Sequence, residues 1–142
     1  MPTFKHGKNA QFRLDGTGGT LVNISDTLNE ITMPREIETA ETTAFGNSDK
    51  TYITGLADAT ISLSGMFDAT VDTTINGDIT NLKSGSVASL SFEYGPSGST
   101  GGFPKFTGEA IITSYEIGSP VGDVVTYSLE LQVTGGVTAG TF

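Results

Sequence analysis

The sequence predicts a mainly β protein with one short α-helix. Short stretches in which apolar and polar residues alternate recur along the 142-residue chain, as half-buried strands require. Many of the 19 glycines fall between these stretches, at positions suited to turns. A single segment, 71–82, spaces its apolar residues three or four apart instead, and this spacing is typical of a helix.

The first strands flank a glycine-rich turn and precede a segment without alternation. Gln11–Asp15 and residues 20–24 lie on either side of the sequence DGTGG, which suits a hairpin. Residues 26–55 mix charge, threonine, proline and glycine with few periodic apolar residues. We therefore expect a long loop there, with strand character only near Ile31 and Ile37. A loop of that length in a compact domain is usually functional or ordered by a partner.

The helix is expected between a regular strand at 57–68 and a glycine stop. Asp68 or Thr70 can cap its first turn, and Gly85 can end its last turn. Gly77 in its interior costs about 1 kcal/mol relative to alanine, so the helix must be held by packing against a sheet. The apolar side of the helix comprises Val71, Ile75, Ile79 and Leu82.

Three more strands are predicted in the second half of the chain, at 86–95, 106–118 and 122–136. The sequence GSPVG connects the last two of them as one long hairpin. The glycine-rich end, 135–142, has no pattern and is expected to be a flexible arm. The last strand alternates most clearly, and its polar face comprises Ser128, Glu130, Gln132 and Thr134.

Length and composition favour one domain over residues 1–142 with a modest core. Apolar residues make up 36% of the chain, below the usual share, and a thin core often depends on neighbouring subunits. Seven basic and 16 acidic residues give a net charge of −9, which argues against wrapping nucleic acid through phosphate contacts. The first ten residues lack the apolar stretch of a signal peptide, so we expect a soluble cytoplasmic protein.

The residues needed for most catalytic and metal sites are missing. The chain contains no cysteine and a single histidine, His6, so histidine-based triads, zinc sites and haem sites lack their parts. His6 is expected on the surface. Asp68, Asp72 and Asp78 lack the spacing of a calcium loop, and helix capping and solvation explain them better. The sequence thus predicts no enzyme, no cofactor and no metal site.

Two stretches, 38–68 and 106–140, carry a resemblance to a known family. In the first, ETAETTAFGNSDKTYITGLADATISLSGMFD, a TTAFG turn leads through ITGL into a strand that ends in Gly65, Met66, Phe67 and Asp68. In the second, FTGEAIITSYEIGSPVGDVVTYSLELQVTGGVTAG, a strand, a turn containing GD and a strand ending in VTGG follow one another. Together these stretches, about half of the chain, resemble the major tail tube proteins of long-tailed, siphovirus-like bacteriophages.

This resemblance implies a two-sheet β-sandwich or barrel flanked by one short helix, with a long loop and extended termini. It also implies that six copies form a ring whose inner sheets join into one β-barrel, and that the rings stack into the tube of a virion tail. DNA and a tape-measure protein would pass through the tube, without specific DNA binding and without a membrane. Tail-tip and terminator proteins would be further partners, and assembly would take place in the cytoplasm of the host bacterium.

The resemblance also points to two sets of residues. A polar, acidic strand face would line the bore and repel DNA phosphates; the residues expected there are Ser114, Glu116, Ser128, Glu130, Gln132 and Thr134. The loop at 26–55 would reach the adjacent ring; its contact residues would be Thr42, Thr43, Phe45 and Tyr52. The alternative for the first set is that these residues are ordinary solvent-facing positions on an outer sheet. The alternative for the second set is that they belong to a disordered surface loop.

The sequence is also compatible with two other classes of protein. One is another virion β protein, such as a tail terminator or a head-decoration subunit. The other is a carbohydrate-binding or adhesin-like sandwich, which would need an aromatic platform or a metal loop. The sequence contains no tryptophan, and its phenylalanines and tyrosines lie largely in phase with apolar neighbours, so this second class is less favoured.

Overall fold

The computed structural model describes Phe4 and the ranges 6–15 and 20–142. Within these residues the chain forms eight strands, one α-helix and two short 3-10 turns, Gly7–Asn9 and Ser25–Thr27. The prediction of a mainly β fold with one helix is confirmed. The elements are β1 (Gln11–Asp15), β2 (Leu21–Asn23), β3 (Leu28–Thr32), β4 (Arg35–Glu41), β5 (Tyr52–Met66), α1 (Ala69–Ser84), β6 (Leu90–Gly95), β7 (Pro104–Gly118) and β8 (Thr126–Thr141).

The strands form one antiparallel sheet that curls into a half-barrel. Its order is β2-β1-β6-β7-β8-β5-β3, and β4 pairs with β5 outside this path. A flat sheet in this order would place β2 and β3 about 29 Å apart. Only residues 24–27 connect these two strands, and so short a link cannot span that distance. The sheet must therefore curl until its two ends approach each other, which is the barrel-like form of the predicted fold.

The core lies inside the curled sheet. The Phe12 and Phe92 rings of β1 and β6 are parallel, with centroids 6.2 Å apart. The hydroxyls of Thr27 and Tyr127 are 2.7 Å apart and link the second 3-10 turn to β8. The carbonyl of Thr27 occupies the space that a Cβ at Gly65 would need, so β5 can approach this closely only with glycine there. The most deeply buried apolar residues are Phe12, Leu14, Ile24, Ile61, Leu63, Ile75, Leu90, Phe92, Leu129 and Leu131.

The helix α1 packs on this core and begins and ends where the sequence predicts. Oδ2 of Asp68 accepts a hydrogen bond from the Val71 N–H at 3.2 Å and so caps the first turn. Gly85 adopts a φ of 79°, and its N–H donates to the Leu82 carbonyl at 3.3 Å. Ile75 is fully buried against the sheet, and this packing offsets the cost of glycine inside the helix.

Both predicted hairpins are confirmed by strand pairing. β1 and β2 are antiparallel, with Asp15 opposite Leu21, although residues 16–19 of the turn lie outside the described residues. β7 and β8 pair along nearly their whole length, and Gly118 lies opposite Thr126 at the end of the hairpin.

The long loop expected at 26–55 is wrong, whereas the strand character predicted near Ile31 and Ile37 is confirmed. This segment contains β3, β4 and the start of β5, and only residues 33–34 and 42–51 connect them. Every residue of β4 is exposed, and so are residues 52–58 of β5. Because neither face of this strand pair is buried within the subunit, no apolar alternation marks it in the sequence.

The flexible arm expected at 135–142 is also wrong. β8 continues to Thr141 and pairs with the beginning of β7. The N–H of Phe142 donates to the Phe103 carbonyl at 3.0 Å, and the Phe142 ring lies against Gly95. Glycine and threonine pair here through their backbone, without the large alternating side chains by which a strand is recognised in a sequence.

Candidate functional site

The side of β7, β8, β5 and β3 that faces away from the core forms one polar surface, which we call the polar face. Four of the predicted bore residues lie together in two adjacent rows across the strands. All four are exposed. From β7 through β8 to β5, the first row is Ser114, Glu130 and Ser62, and the second is Glu116, Ser128 and Ser64.

A β-bulge decides which residues of β7 belong to the polar face. Ile112 pairs with Leu131 and Ser114 pairs with Glu130, so Thr113 is an extra residue between them. The hydroxyl of Thr113 donates to the Glu130 carbonyl at 3.2 Å. Without the bulge, strict alternation would direct Ser114 to the same side as Ile112, towards the core.

The other two predicted bore residues lie farther along β8. Thr134 is exposed and lies opposite Glu109. Gln132 is half-buried, and its Nε2 donates to Asp58 Oδ1 at 2.6 Å and to the Ala59 carbonyl at 3.1 Å. Gln132 therefore fastens β8 to β5, and its side chain is not a free part of the polar face.

The polar face is acidic, and two of its carboxylates, Glu30 and Glu109, are not among the predicted bore residues. Glu30 of β3 lies opposite Ser64. Glu109 of β7 accepts hydrogen bonds from the hydroxyls of Ser89 at 2.9 Å and Ser91 at 2.6 Å. β3, β5 and β8 contain no lysine or arginine, and β7 contains one, Lys105, whose Nζ lies 5.4 Å from the centroid of the Phe142 ring. Only the register between strands shows that these two glutamates share a face with Glu130, so no local pattern could have identified them.

The second surface is the projecting hairpin, which consists of β4, the turn 42–51 and residues 52–58 of β5. The turn is closed by hydrogen bonds among threonines, since the Thr42 N–H donates to the Thr51 carbonyl at 2.7 Å and their hydroxyls are also 2.7 Å apart. Thr43 Oγ1 accepts from the Thr51 N–H at 3.0 Å. All four predicted contact residues, Thr42, Thr43, Phe45 and Tyr52, lie at this end of the hairpin.

The projecting hairpin exposes an unusual number of large apolar side chains. Phe45 at its tip is fully exposed, at 108%. At the base, the Arg35 guanidinium lies 6.0 Å from the centroid of the Phe106 ring and helps to attach the hairpin to the sheet. Ile53 and Leu56 are exposed on the hairpin as well and are not among the predicted contact residues. The exposed apolar residues are Ile37, Phe45, Tyr52, Ile53 and Leu56.

Two carboxylates with buried oxygens, that of Asp78 and that of the half-buried Asp15, lie apart from both surfaces. The Asp78 side chain on α1 is 0% exposed, so the predicted role in helix solvation is wrong. Neither Asp78 oxygen has a hydrogen-bond partner among the described residues, and neither has Oδ1 of Asp15. Burial, with a smaller contribution from the charge of Asp15, raises the pKa of Asp78 from 3.8 to about 7.

We also searched the rest of the described chain for metal ligands, a reactive histidine and membrane-spanning helices. No group of three or more metal-ligating side chains is found within the described residues. His6 is exposed, and its Nδ1 accepts a hydrogen bond from the Lys8 N–H at 3.1 Å. None of the described helices combines the length and hydropathy needed to cross a membrane. The polar face and the projecting hairpin are therefore the candidate functional surfaces.

Comparisons with known proteins agree with one another. The sequence model of a family described as phage tail tube protein matches residues 14–139. The tail of an empty gene transfer agent particle, determined with sixfold symmetry, has a TM-score of 0.78 at 19% identity; the match covers 97% of this chain and all of that one, 100%. No curated protein sequence matches significantly.

Two further solved structures share the fold at lower identity. The SPP1 tail tube gives a TM-score of 0.71 at 13% identity, over 97% of this chain and 80% of that chain. A chain from the sheath–tube complex of an extracellular contractile injection system gives 0.65 at 15% identity, over 100% of this chain and 92% of that chain. At these identities, the structural neighbours establish the fold.

Proposed function

The chain belongs to the phage tail tube protein family, and we propose that six copies close into a ring and that these rings stack into the tube of a phage tail. The sixfold symmetry of the similar gene transfer agent tail supports the number of copies. The protein would act as a structural part of the virion and not as an enzyme.

The projecting hairpin is the observation that carries this proposal. Its apolar side chains, among them Phe45 at the tip and Leu56 at 78% exposure, lie in water in the isolated subunit. Clustered exposed apolar residues of this kind mark interaction sites in soluble proteins. A neighbouring subunit would bury them, and the pairing of β4 with β5 holds the hairpin away from the subunit where a neighbour can reach it.

Ring closure is supported by the unpaired edges of the two outermost described strands of the sheet, β2 and β3. Among the described strands, β3 pairs only with β5, so its other edge can accept a strand from a neighbouring copy. Such pairing in a closed ring would extend the curled sheet from subunit to subunit. The polar face would then become one continuous surface of a larger barrel.

We propose that this surface lines the bore of the tube. Ser114, Glu116, Ser128, Glu130 and Thr134 would face the enclosed water, with Gln132 held at the edge by its bonds to β5. An acidic bore repels DNA phosphates, so DNA would pass without specific binding. A tape-measure protein inside the tube, together with tail-tip and terminator proteins at its ends, would complete the partners. Assembly would occur in the host cytoplasm.

Electron microscopy of the purified protein over a range of concentrations tests this function. We expect sixfold rings and hollow stacked tubes. Single closed rings that never stack would instead favour a tail terminator, and particles that stay monomeric under all conditions would contradict the proposal. The variant Gly101→Cys, at an exposed glycine with no atom near its side-chain position, serves as a control that should assemble like the parent protein.

A further inference from the structure

Two aspartates from separate parts of the chain are brought close to each other beside α1. Asp15 is the last residue of β1, and Asp78 lies on α1. Asp78 follows Val71 and Ile75 along the buried side of the helix, where an apolar residue would ordinarily pack against the core. Burial and then the charge of Asp15 raise the pKa of Asp78, so the two carboxylates are near enough to repel each other.

The Asp78 side chain has no protein partner for its charge. It is 0% exposed, and neither of its oxygens has a hydrogen-bond partner within the described residues. Oδ1 of Asp15 is likewise buried without a partner there. The ion pair found in the described part of the chain joins Arg13 to Glu93 at 3.4 Å, so no basic side chain in that part neutralises either aspartate. Because a buried, unpartnered carboxylate is strongly disfavoured, these three oxygens require either protons or a bound cation.

We propose that Asp15 and Asp78 bind one Ca²⁺ between β1 and α1. The ion would neutralise both carboxylates and give their three buried oxygens a partner. Carboxylate oxygens are ligands of both Ca²⁺ and Mg²⁺, but Mg²⁺ usually keeps several waters in an octahedral shell. Ca²⁺ accepts irregular shells and bidentate carboxylates, which suits the fully enclosed side chain of Asp78. Main-chain carbonyls and water commonly complete such a shell.

This site differs from a calcium-binding loop, since its two carboxylates come from different elements. It would link α1 to the β1–β2 hairpin, in which Asp15 lies opposite Leu21. The hydrogen bond from Tyr115 to Asp72, at 2.8 Å, attaches the first turn of the helix to the sheet. A cation at Asp78 would attach its second half. The inference goes beyond the proposed function, because it concerns the folded subunit and does not depend on rings or tubes.

Calcium titration of the unassembled full-length protein tests the site. The protein is freed of metal with EDTA, dialysed at pH 8 so that both carboxylates are ionised, and titrated with calcium chloride in a calorimeter. We expect one Ca²⁺ per chain, bound about tenfold or more tighter than Mg²⁺. Thermal unfolding in the same buffer gives an independent measure. With free Ca²⁺ at about one hundred times Kd, the equilibrium constant of unfolding should fall about a hundredfold.

Two asparagine variants identify the ligands. Asp78→Asn and Asp15→Asn keep the size of the side chain and remove one charged ligand each, so each should lose about tenfold or more in Ca²⁺ affinity. Asp49→Asn, at an exposed position in the hairpin turn, is the matched control and should bind Ca²⁺ like the parent protein. Circular dichroism shows whether each variant is folded. If Asp78→Asn does not fold, Asp15→Asn and the response of the parent protein to Ca²⁺ decide the outcome.

Each result either supports the site or overturns it. Binding of one Ca²⁺ that is weakened in Asp78→Asn and Asp15→Asn, and unchanged in Asp49→Asn, supports it. Several weak sites that all three variants retain would be adventitious binding to the acidic surface only, and they overturn it. Equal affinity for Mg²⁺, or unfolding of the parent protein that does not respond to Ca²⁺, overturns it as well. The proposed tail tube function is unaffected by those results.

Discussion

The hydroxyl of Tyr115 on β7 donates a hydrogen bond to Oδ1 of Asp72 on α1 at 2.8 Å. The Tyr115 ring also meets the Tyr127 ring edge-on, with centroids 6.1 Å apart. Burial, followed by the hydrogen bond to Asp72 and its charge, raises the pKa of Tyr115, so this hydroxyl keeps its proton and remains a donor. The contact fastens the helix to the sheet at Asp72, one turn after the cap at Asp68.

Replacing Tyr115 by phenylalanine should lower the free energy of unfolding by about 1.5–3 kcal/mol, because it removes one hydrogen bond to a charged acceptor and leaves the ring packing intact. Urea denaturation of the unassembled protein measures the change. Tyr52→Phe is the matched control, since Tyr52 is exposed on the projecting hairpin, and it should shift stability by less than about 0.5 kcal/mol. Equal losses for the two variants would show that the Asp72 contact contributes nothing.

The buried Asp78 should make the free energy of unfolding fall as the pH rises, which is opposite to the effect of an acidic residue in an ion pair. Its folded pKa of about 7 lies above the ordinary value of 3.8, so the folded state favours the protonated form. This contribution is fully present below pH 3.8 and is lost as the pH rises through 7, with a slope of at most about 1.4 kcal/mol per pH unit. The neutral variant Asp78→Asn should remove it.

Denaturation curves at several pH values between 4 and 8 check the Asp78 prediction. The stability of the parent protein, measured relative to Asp78→Asn, should fall through this window and level off above it. Asp49→Asn, at an exposed position in the hairpin turn, should follow the parent protein. If the difference between the parent and Asp78→Asn does not change with pH, the proton at Asp78 does not contribute to folding.

Two isoleucines should separate folding from assembly. Ile75→Ala removes a fully buried side chain from α1 and should cost about 2–5 kcal/mol of unfolding free energy. Ile53→Ala, on the exposed projecting hairpin, should change that free energy by less than about 0.5 kcal/mol but raise the concentration needed for tubes. Denaturation and light scattering measure the two effects, and a large loss of stability in Ile53→Ala would mean that the hairpin packs within its own subunit.

Positive charge on the polar face should obstruct DNA without preventing assembly. Glu130→Lys places a cation on the surface proposed to line the bore, where it would attract DNA phosphates. Tubes should therefore form normally while DNA delivery by assembled virions declines. The double variant Thr73→Lys and Thr80→Lys adds the same charge to exposed positions on α1 and should leave delivery unchanged. Failure of Glu130→Lys to assemble would place Glu130 in a subunit contact instead of the bore.

The amino-acid sequence by itself determined the elements that bury one face within their own subunit. β8 alternates between buried residues such as Leu129 and exposed residues such as Glu130, and α1 repeats its buried side every three or four residues. The helix ends could be predicted because Asp68 and Gly85 act on their nearest neighbours. A local pattern arises wherever burial and exposure follow the period of the backbone.

Only the tertiary structure decided the features that depend on contacts between residues far apart in the chain. The projecting hairpin has no apolar alternation, because both of its faces are exposed, and its sequence therefore predicts a loop. The bulge at Thr113, which depends on pairing with β8, decides that Ser114 faces away from the core. The sequence does not distinguish the position of Asp78 on the helix from that of a solvated acid, and its burial is decided by the tertiary packing of α1. Register and burial of this kind are relations between residues far apart in the chain, and local periodicity carries no information about them.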